Sequence, residues 1–404
     1  MTELSPVDTD RMISRTDSGD TATARQAFAH RASHKIADIE VLRAIAVMFV
    51  LVHHANGNLI MQSEVLNGIF KYVQLWPGVD LFFAISGFVI ARSLLPILAA
   101  CKTNAAFFKA TLNFWIRRAW RLLPSAWLWL ALMLLAPAVF NRSGVFGTVE
   151  DNFWAAVAGV LDFANFRFAY KWAHAQYYGT SFAYWSLSLE EQFYLLLPIA
   201  AFLFRRRLAV LLVILLLLQL FSSRSLMLMV VRTDAILLGV LLAMWSRQVS
   251  YKLIEPRGLA KNWLARLLVI SVLLCCIAAL GADKFTFAFY RIGTIAALSA
   301  VLVWIASYDR DYLCRPSFAK EWMVWIGARS YGLYLIHIPI YCLTREIWYR
   351  LAPSGAVSAG TLTLCLILTA VFLLLLLCEL NYRFIELPLR AYGVRVAERF
   401  MQRP

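Results

Sequence analysis

The stretch RAIAVMFVLVHHANG, Arg43 to Gly57, sets an arginine and two adjacent histidines at the ends of an otherwise apolar run. Histidine ordinarily titrates near neutral pH, so it can take and return a proton. Arginine keeps its charge and offers a planar fork of donors suited to phosphate or carboxylate. Arg43 and His54 are eleven residues apart, which on a helix puts them on one face, about 16 Å apart along the axis. His53 points about 80° off that face. Other apolar runs are interrupted in the same way. Asp80 lies in GVDLFFAISGF, Glu190 and Glu191 in YWSLSLEEQFYLLLP, Arg232 and Asp234 in VVRTDAILLG, and Tyr331 and His337 in ARSYGLYLIHIP. A histidine oriented by a carboxylate can deprotonate a hydroxyl as that hydroxyl attacks a carbonyl. The same residue types also build proton relays in transporters. Taken singly, Asp80, Asp234 and His337 read equally well as interhelical hydrogen-bond partners. In FWIRRAWRLLP, Arg118 and Arg121 share a face at the start of a helix; they read as a positive anchor or as a clamp for a phosphate-bearing ligand.

The elements that must position these groups follow from composition. Of 404 residues, 61% are hydrophobic and 16% charged, and the mean hydropathy is +0.67. Soluble domains are about 45–50% apolar and about 25% charged. Long apolar runs recur, so the expected fold is all-α, a polytopic membrane bundle of about ten transmembrane helices. The spans fall near 39–57, 77–95, 122–140, 184–204, 208–222, 227–246, 264–281, 288–307, 322–343 and 359–380. With alternating sides, 27 of the 39 Lys and Arg gather on one side and 10 on the other, with Arg43 and Arg329 inside spans. This asymmetry predicts that both termini are cytoplasmic. The net charge of +15 therefore reads as topology rather than nucleic-acid binding. Counted from each span's basic anchor, His54, Asp80, Glu190, Asp234 and His337 all reach the outer half of a hydrocarbon layer about 30 Å thick. Their convergence at one level is the main sign of a site.

Residues 1–35 are polar and predict a disordered cytoplasmic tail; 36–390 form the membrane domain and 391–404 a short cytoplasmic tail. The seven cysteines are scattered without a C-x-x-C pair and read as packing residues, with no metal site. No phosphate-binding glycine fingerprint or G-x-S-x-G elbow is present.

The motifs RAIAVMFVLVHH, GVDLFFAISGF, RRAWRLLP, WSLSLEEQFYLLLP, RTDAILLG, SYGLYLIHIP and YRFIELP occur in the order seen in the acyltransferase-3 family. The chain resembles that family from about residue 36 to 390. These are integral-membrane enzymes, mostly bacterial, that place acetyl or other short acyl groups on extracytoplasmic carbohydrates. The resemblance implies a ten-span domain in the bacterial inner membrane, with acetyl-CoA or another acyl-CoA as donor substrate and no tightly bound cofactor. It maps the family's arginine–histidine pair onto Arg43 and His54, its arginine pair onto Arg118 and Arg121, and its span-four acid onto Glu190. His53 is then an extra. The expected base is His54, with Glu190 or Asp80 as orienter, and Arg43, Arg118 and Arg121 hold acyl-CoA. His53, Arg232, Asp234, Tyr331 and His337 are supporting residues.

The chain ends after the membrane domain, which favours resemblance to single-domain exopolysaccharide, O-antigen, Nod-factor and macrolide acylases. It argues against the two-domain peptidoglycan and O-antigen enzymes that carry an appended hydrolase-like domain. The acceptor is expected to be a carbohydrate or glycolipid, with a small secreted molecule as the alternative. A homo-oligomer is compatible with such a bundle. Rival classes are a proton-coupled transporter and a membrane acyltransferase acting on lipids or proteins. No inverted repeat or paired broken helices support the transporter.

Overall fold

The computed structural model describes residues 36–402 apart from 61–63, 221, 223, 283, 285–289 and 353–357. The expected tail over 1–35 lies outside the described residues. Among the described residues the chain is helical, without strands. Its principal helices are α1 (Ala37–Asn58), α2 (Gly78–Ala100), α3 (Asn104–Val139), α4 (Val149–Val160), α5 (Ala164–Ala173), α6 (Tyr184–Phe204) and α7 (Leu208–Leu220). They continue with α8 (Asp234–Trp245), α9 (Trp263–Leu280), α10 (Arg291–Ala306), α11 (Phe318–Ala328), α12 (Ser330–Leu351), α13 (Ala359–Asn381) and α14 (Leu387–Gln402).

Five helical stretches are long and apolar enough to cross a membrane: Gly78–Ala100, Asn104–Val139, Met227–Trp245, Trp263–Leu280 and Ala359–Gln402. The helices bearing His54, Glu190 and His337 are not among them. Those helices carry their polar groups inward: 14 of the 22 residues of α12 are buried, His337 and Glu346 among them.

Two expectations are corrected. The third apolar segment starts much earlier than residue 122: α3 runs for 36 residues from Asn104, capped by the Thr103 hydroxyl, which accepts from the Ala106 N–H at 3.2 Å. At about 54 Å long it exceeds the hydrocarbon thickness. Arg118 and Arg121 therefore sit mid-helix rather than at a helix start. The ninth segment is two helices, broken at Arg329, whose guanidinium leaves the axis to pair with Glu379 at 2.5 and 3.2 Å. The segment 391–402, expected as a short tail, is helical. It continues α14, which lies on α3 so closely that a Cβ at Gly393 would stand 2.3 Å from the Trp120 Cβ.

The centre of the bundle is the contact between α2 and α8. A Cβ added at Gly87 would stand 2.2 Å from the Ile236 carbonyl oxygen, and one at Gly239 would stand 2.2 Å from that of Ala84. The two helices thus meet backbone to backbone, an approach that only glycine permits and that membrane helices exploit for packing. At the start of the same helix pair, Asp80 receives Arg232 in a two-pronged bond, 2.8 Å from Nε and 2.9 Å from Nη2. The Arg232 guanidinium also lies between Trp76 and Trp185, 5.2 and 5.1 Å from their ring centres. Asp80 is thereby occupied by Arg232 rather than by a histidine. Asp234 is likewise bound by Arg224, at 2.9 Å from Nη1 and by a second bond from Nη2.

Two expected outcomes follow. Gly87→Val or Gly239→Val pushes a side chain into a facing carbonyl and should destabilise the protein by at least about 1–3 kcal/mol. Thermal unfolding in detergent reads this as a lower melting temperature, with Gly68→Val, where a Cβ meets open space, as the control. Asp80→Asn leaves Arg232 buried without its countercharge and should cost about 3–5 kcal/mol, whereas Asp80→Leu with Arg232→Met should restore much of it. A full-strength melting transition in Asp80→Asn would contradict the structural role given to this pair.

Candidate active site

His54 stands near the C-terminal end of α1, in its last regular turn before the backbone leaves helical geometry at Asn56 (ψ 124°) and Gly57 (φ 84°). Its position is fixed from several sides. The Asn58 side-chain amide donates to the His54 carbonyl at 2.9 Å. The Tyr341 hydroxyl donates to the Leu51 carbonyl at 2.9 Å, tying α12 to α1 one turn earlier. Phe182 meets the His54 ring edge-on at 5.3 Å, and His53 lies beside it at 5.1 Å.

The partner of His54 is His337. Nδ1 of His54 and Nε2 of His337 are 2.8 Å apart, and Nδ1 of His337 is 2.5 Å from the Tyr334 carbonyl. A carbonyl only accepts, so His337 Nδ1 carries a proton and donates it. In a neutral imidazole the other nitrogen is then an acceptor, which makes His54 Nδ1 the donor in the bond between the rings. The lone pair of the pair is left on His54 Nε2. A backbone carbonyl thus selects the tautomer of two histidines in series and leaves one basic nitrogen. Neither Glu190 nor Asp80, the expected orienters, bonds to His54.

On the other side of Tyr334 lies a narrow slot of about 70 Å³ enclosed by α1, α2, α3, α6 and α12. Arg43, Arg118, Arg121, Glu190, Glu191 and Tyr331 all line it, so most of the expected residues meet here rather than around His54. Glu190 accepts from the hydroxyls of Ser86 and Tyr194. Arg118 stacks on Tyr194 at 4.3 Å, and its buried Nε has no hydrogen-bond partner among the described residues. Arg43 reaches Glu40 at 3.3 Å, and Tyr331 donates to the Leu122 carbonyl at 2.7 Å. Three guanidinium groups, one with a donor to spare, can hold an anion at this slot. Its width suits a narrow chain rather than a nucleotide.

Tyr334 is the partition between slot and histidines. Its hydroxyl is 2.5 Å from Ser186 Oγ and donates to the Ala183 carbonyl at 3.2 Å, while its ring packs on Phe82 at 5.9 Å and His337 at 5.5 Å. Sequence reading missed Tyr334, Ser186, Ser86, Tyr194 and Arg224. Tyr194 was within reach, since it lies four residues after Glu190 and shares its helix face. Arg224 sits ten residues from Asp234 on a separate element and gave no periodic signal. Asp80, Arg232 and Asp234 are apart from this centre, bound in the ion pairs of α2 and α8.

The chain is 27% identical over 396 residues to YrhL of Bacillus subtilis (strain 168), carried as a candidate peptidoglycan O-acetyltransferase; the match covers 91% of this chain and 57% of that protein. It is 26% identical over 400 residues to the peptidoglycan O-acetyltransferase OatA of Listeria monocytogenes (89% and 56%). It is 25% identical over 387 residues to the O-acetyltransferase OatA of Staphylococcus aureus (88% and 57%). The chain thus spans a little over half the length of these relatives. No solved structure matches it significantly. The acyltransferase domain that defines the acyltransferase-3 family matches residues 36–380, and the chain belongs to that family.

Proposed function

We propose that the protein is a multi-pass membrane O-acyltransferase that moves an acetyl or other short acyl group from acyl-CoA to a hydroxyl of an extracytoplasmic carbohydrate. The observation that carries this reading is the histidine pair, with its single basic nitrogen on His54, set one tyrosine layer from an arginine-lined slot. In this reading about ten helical spans cross a bacterial inner membrane with both termini cytoplasmic. The slot takes the pantetheine arm from the cytoplasmic side, and Arg43, Arg118 and Arg121 hold the donor's phosphates at its mouth. The spare Nε donor of Arg118 supports that role.

The chemistry is an acyl transfer. The sugar oxygen attacks the thioester carbonyl while His54 Nε2 removes its proton. The new C–O bond forms, the C–S bond breaks, and the proton passes from His54 to the departing thiolate. His337 is a positioning residue: it fixes the ring plane and tautomer of His54 without meeting the substrate. Attack by Nε2 itself, with an acyl-imidazole intermediate, uses the same nitrogen. Glu190 shapes the slot through Ser86 and Tyr194.

The expected acceptor is an exopolysaccharide or O-antigen. The printed names of the relatives from Bacillus and Listeria add peptidoglycan as an acceptor to be compared. Mass spectrometry of each glycan fraction from a deletion strain, restored with wild type or variants, distinguishes them. His54→Ala should lower acetylation by about 10²–10⁴-fold or abolish it at unchanged protein level. His337→Ala should give an intermediate loss, because the base remains but its tautomer is no longer set. Full activity in His54→Ala would refute the assignment of the base. Proton flux in proteoliposomes lacking any acyl donor would favour a transporter instead.

The tyrosine partition generates a separate expectation. Tyr334→Ala opens the slot toward the histidines, so water reaches the donor and acyl-CoA hydrolysis without acceptor should rise several-fold. Tyr334→Phe keeps the ring and should leave that hydrolysis near wild type. Free thiol release in purified protein measures both.

A further inference from the structure

A second, larger cavity of about 680 Å³ lies at the opposite end of α2 from Asp80, where α2 and α8 end, α3 begins and α6 turns into α7. Lys102, Arg205, Arg206 and Arg247 surround it, and none of its lining residues is acidic. None of the four cations is in an ion pair with a described residue. Part of its wall is apolar, formed by Leu98, Phe107 and Leu208 among others. It is distinct from the slot: along α6, Arg205 lies about 22 Å beyond Glu190.

The backbone is bent to make this place. Arg205 adopts φ 41° and ψ −111°, a conformation unusual for any residue other than glycine. The turn carries its guanidinium back over Phe202, 5.6 Å from the ring centre, and across to the Asn104 side chain at 3.2 Å. Three consecutive arginines are thereby packed into a single 3₁₀ turn between α6 and α7.

We propose that this cavity binds the phosphate headgroup of an anionic glycerophospholipid. Concentrated positive charge without countercharge asks for an anion, and basic pockets between membrane helices recognise lipid phosphates. The apolar walls and the surrounding exposed side chains favour a ligand with fatty chains over a water-soluble phosphate. Ile97, Phe108 and Leu203 are 55%, 56% and 67% exposed around this end, where acyl chains can lie against them. The lipid then fills the gap at which five helices diverge.

Native mass spectrometry of the full-length protein, equilibrated with phosphatidylglycerol and phosphatidylethanolamine in equal amounts, tests this. Wild type should retain phosphatidylglycerol with about tenfold preference, and Lys102→Gln/Arg206→Gln/Arg247→Gln should lose it. Should the triple variant fail to fold, Arg206→Gln and Arg247→Gln singly should each lower the preference by several-fold. No preference in wild type, or an unchanged preference in the folded variants, overturns the proposal. Inorganic phosphate and adenosine 3′,5′-bisphosphate are added as competitors. Failure of both to displace the lipid at millimolar concentration supports a lipid site, whereas displacement by either identifies a soluble phosphate ligand and overturns it. The readout is lipid retention, so it stands or falls independently of acyl transfer.

Discussion

The close approach of α2 and α8 is the constraint on which the rest of the bundle depends. Gly87 faces the Ile236 carbonyl and Gly239 faces that of Ala84, so the two backbones touch with no side chain interposed. This contact lets Arg232, two residues before α8, reach Asp80 in the first turn of α2 with both prongs of its guanidinium. It also holds Phe82, Phe83 and Ser86 still as one wall of the slot. Lipid tails are as apolar as leucine, so a membrane helix gains little from burying greasy surface against its neighbour. Close packing and satisfied polar groups must do that work, and the α2–α8 pair combines both.

Much of this was legible in the sequence, and the illegible part has a common cause. The all-helical class follows from runs of apolar residues, which need no knowledge of partners. The individual ionisable residues also stood out, because a charge in an apolar run has few explanations. Pairing did not. His54 and His337 are 283 positions apart and nothing local marks them as neighbours. The expectation joined His54 to a carboxylate because acids were present at the same depth. Depth is set by position along one helix, whereas contact depends on how that helix is rotated and packed. Arg232 and Asp234 show the same limit: two residues apart in sequence, they serve different partners.

Helix boundaries failed for a different reason. The start of α3 is set by a threonine cap at Thr103, eighteen or so residues before the strongly apolar part, and hydropathy does not see caps. The break at Arg329 is similar. That arginine lies within a continuous motif, yet its attraction to Glu379 on α13 draws the chain off its axis. A tertiary bond overrides local propensity there, and only the folded chain contains it.

The bond from His337 to the Tyr334 carbonyl has one more consequence. A peptide carbonyl cannot be protonated at any pH the cell meets, so the two rings form a cul-de-sac. A proton accepted by His54 has nowhere to go along this chain and must return by the face through which it came. Residues that in another arrangement would be a wire across the bilayer are here terminated on the backbone. In the proposed acyl transfer, such a centre would return its proton by the side it came from rather than pass it on along the chain.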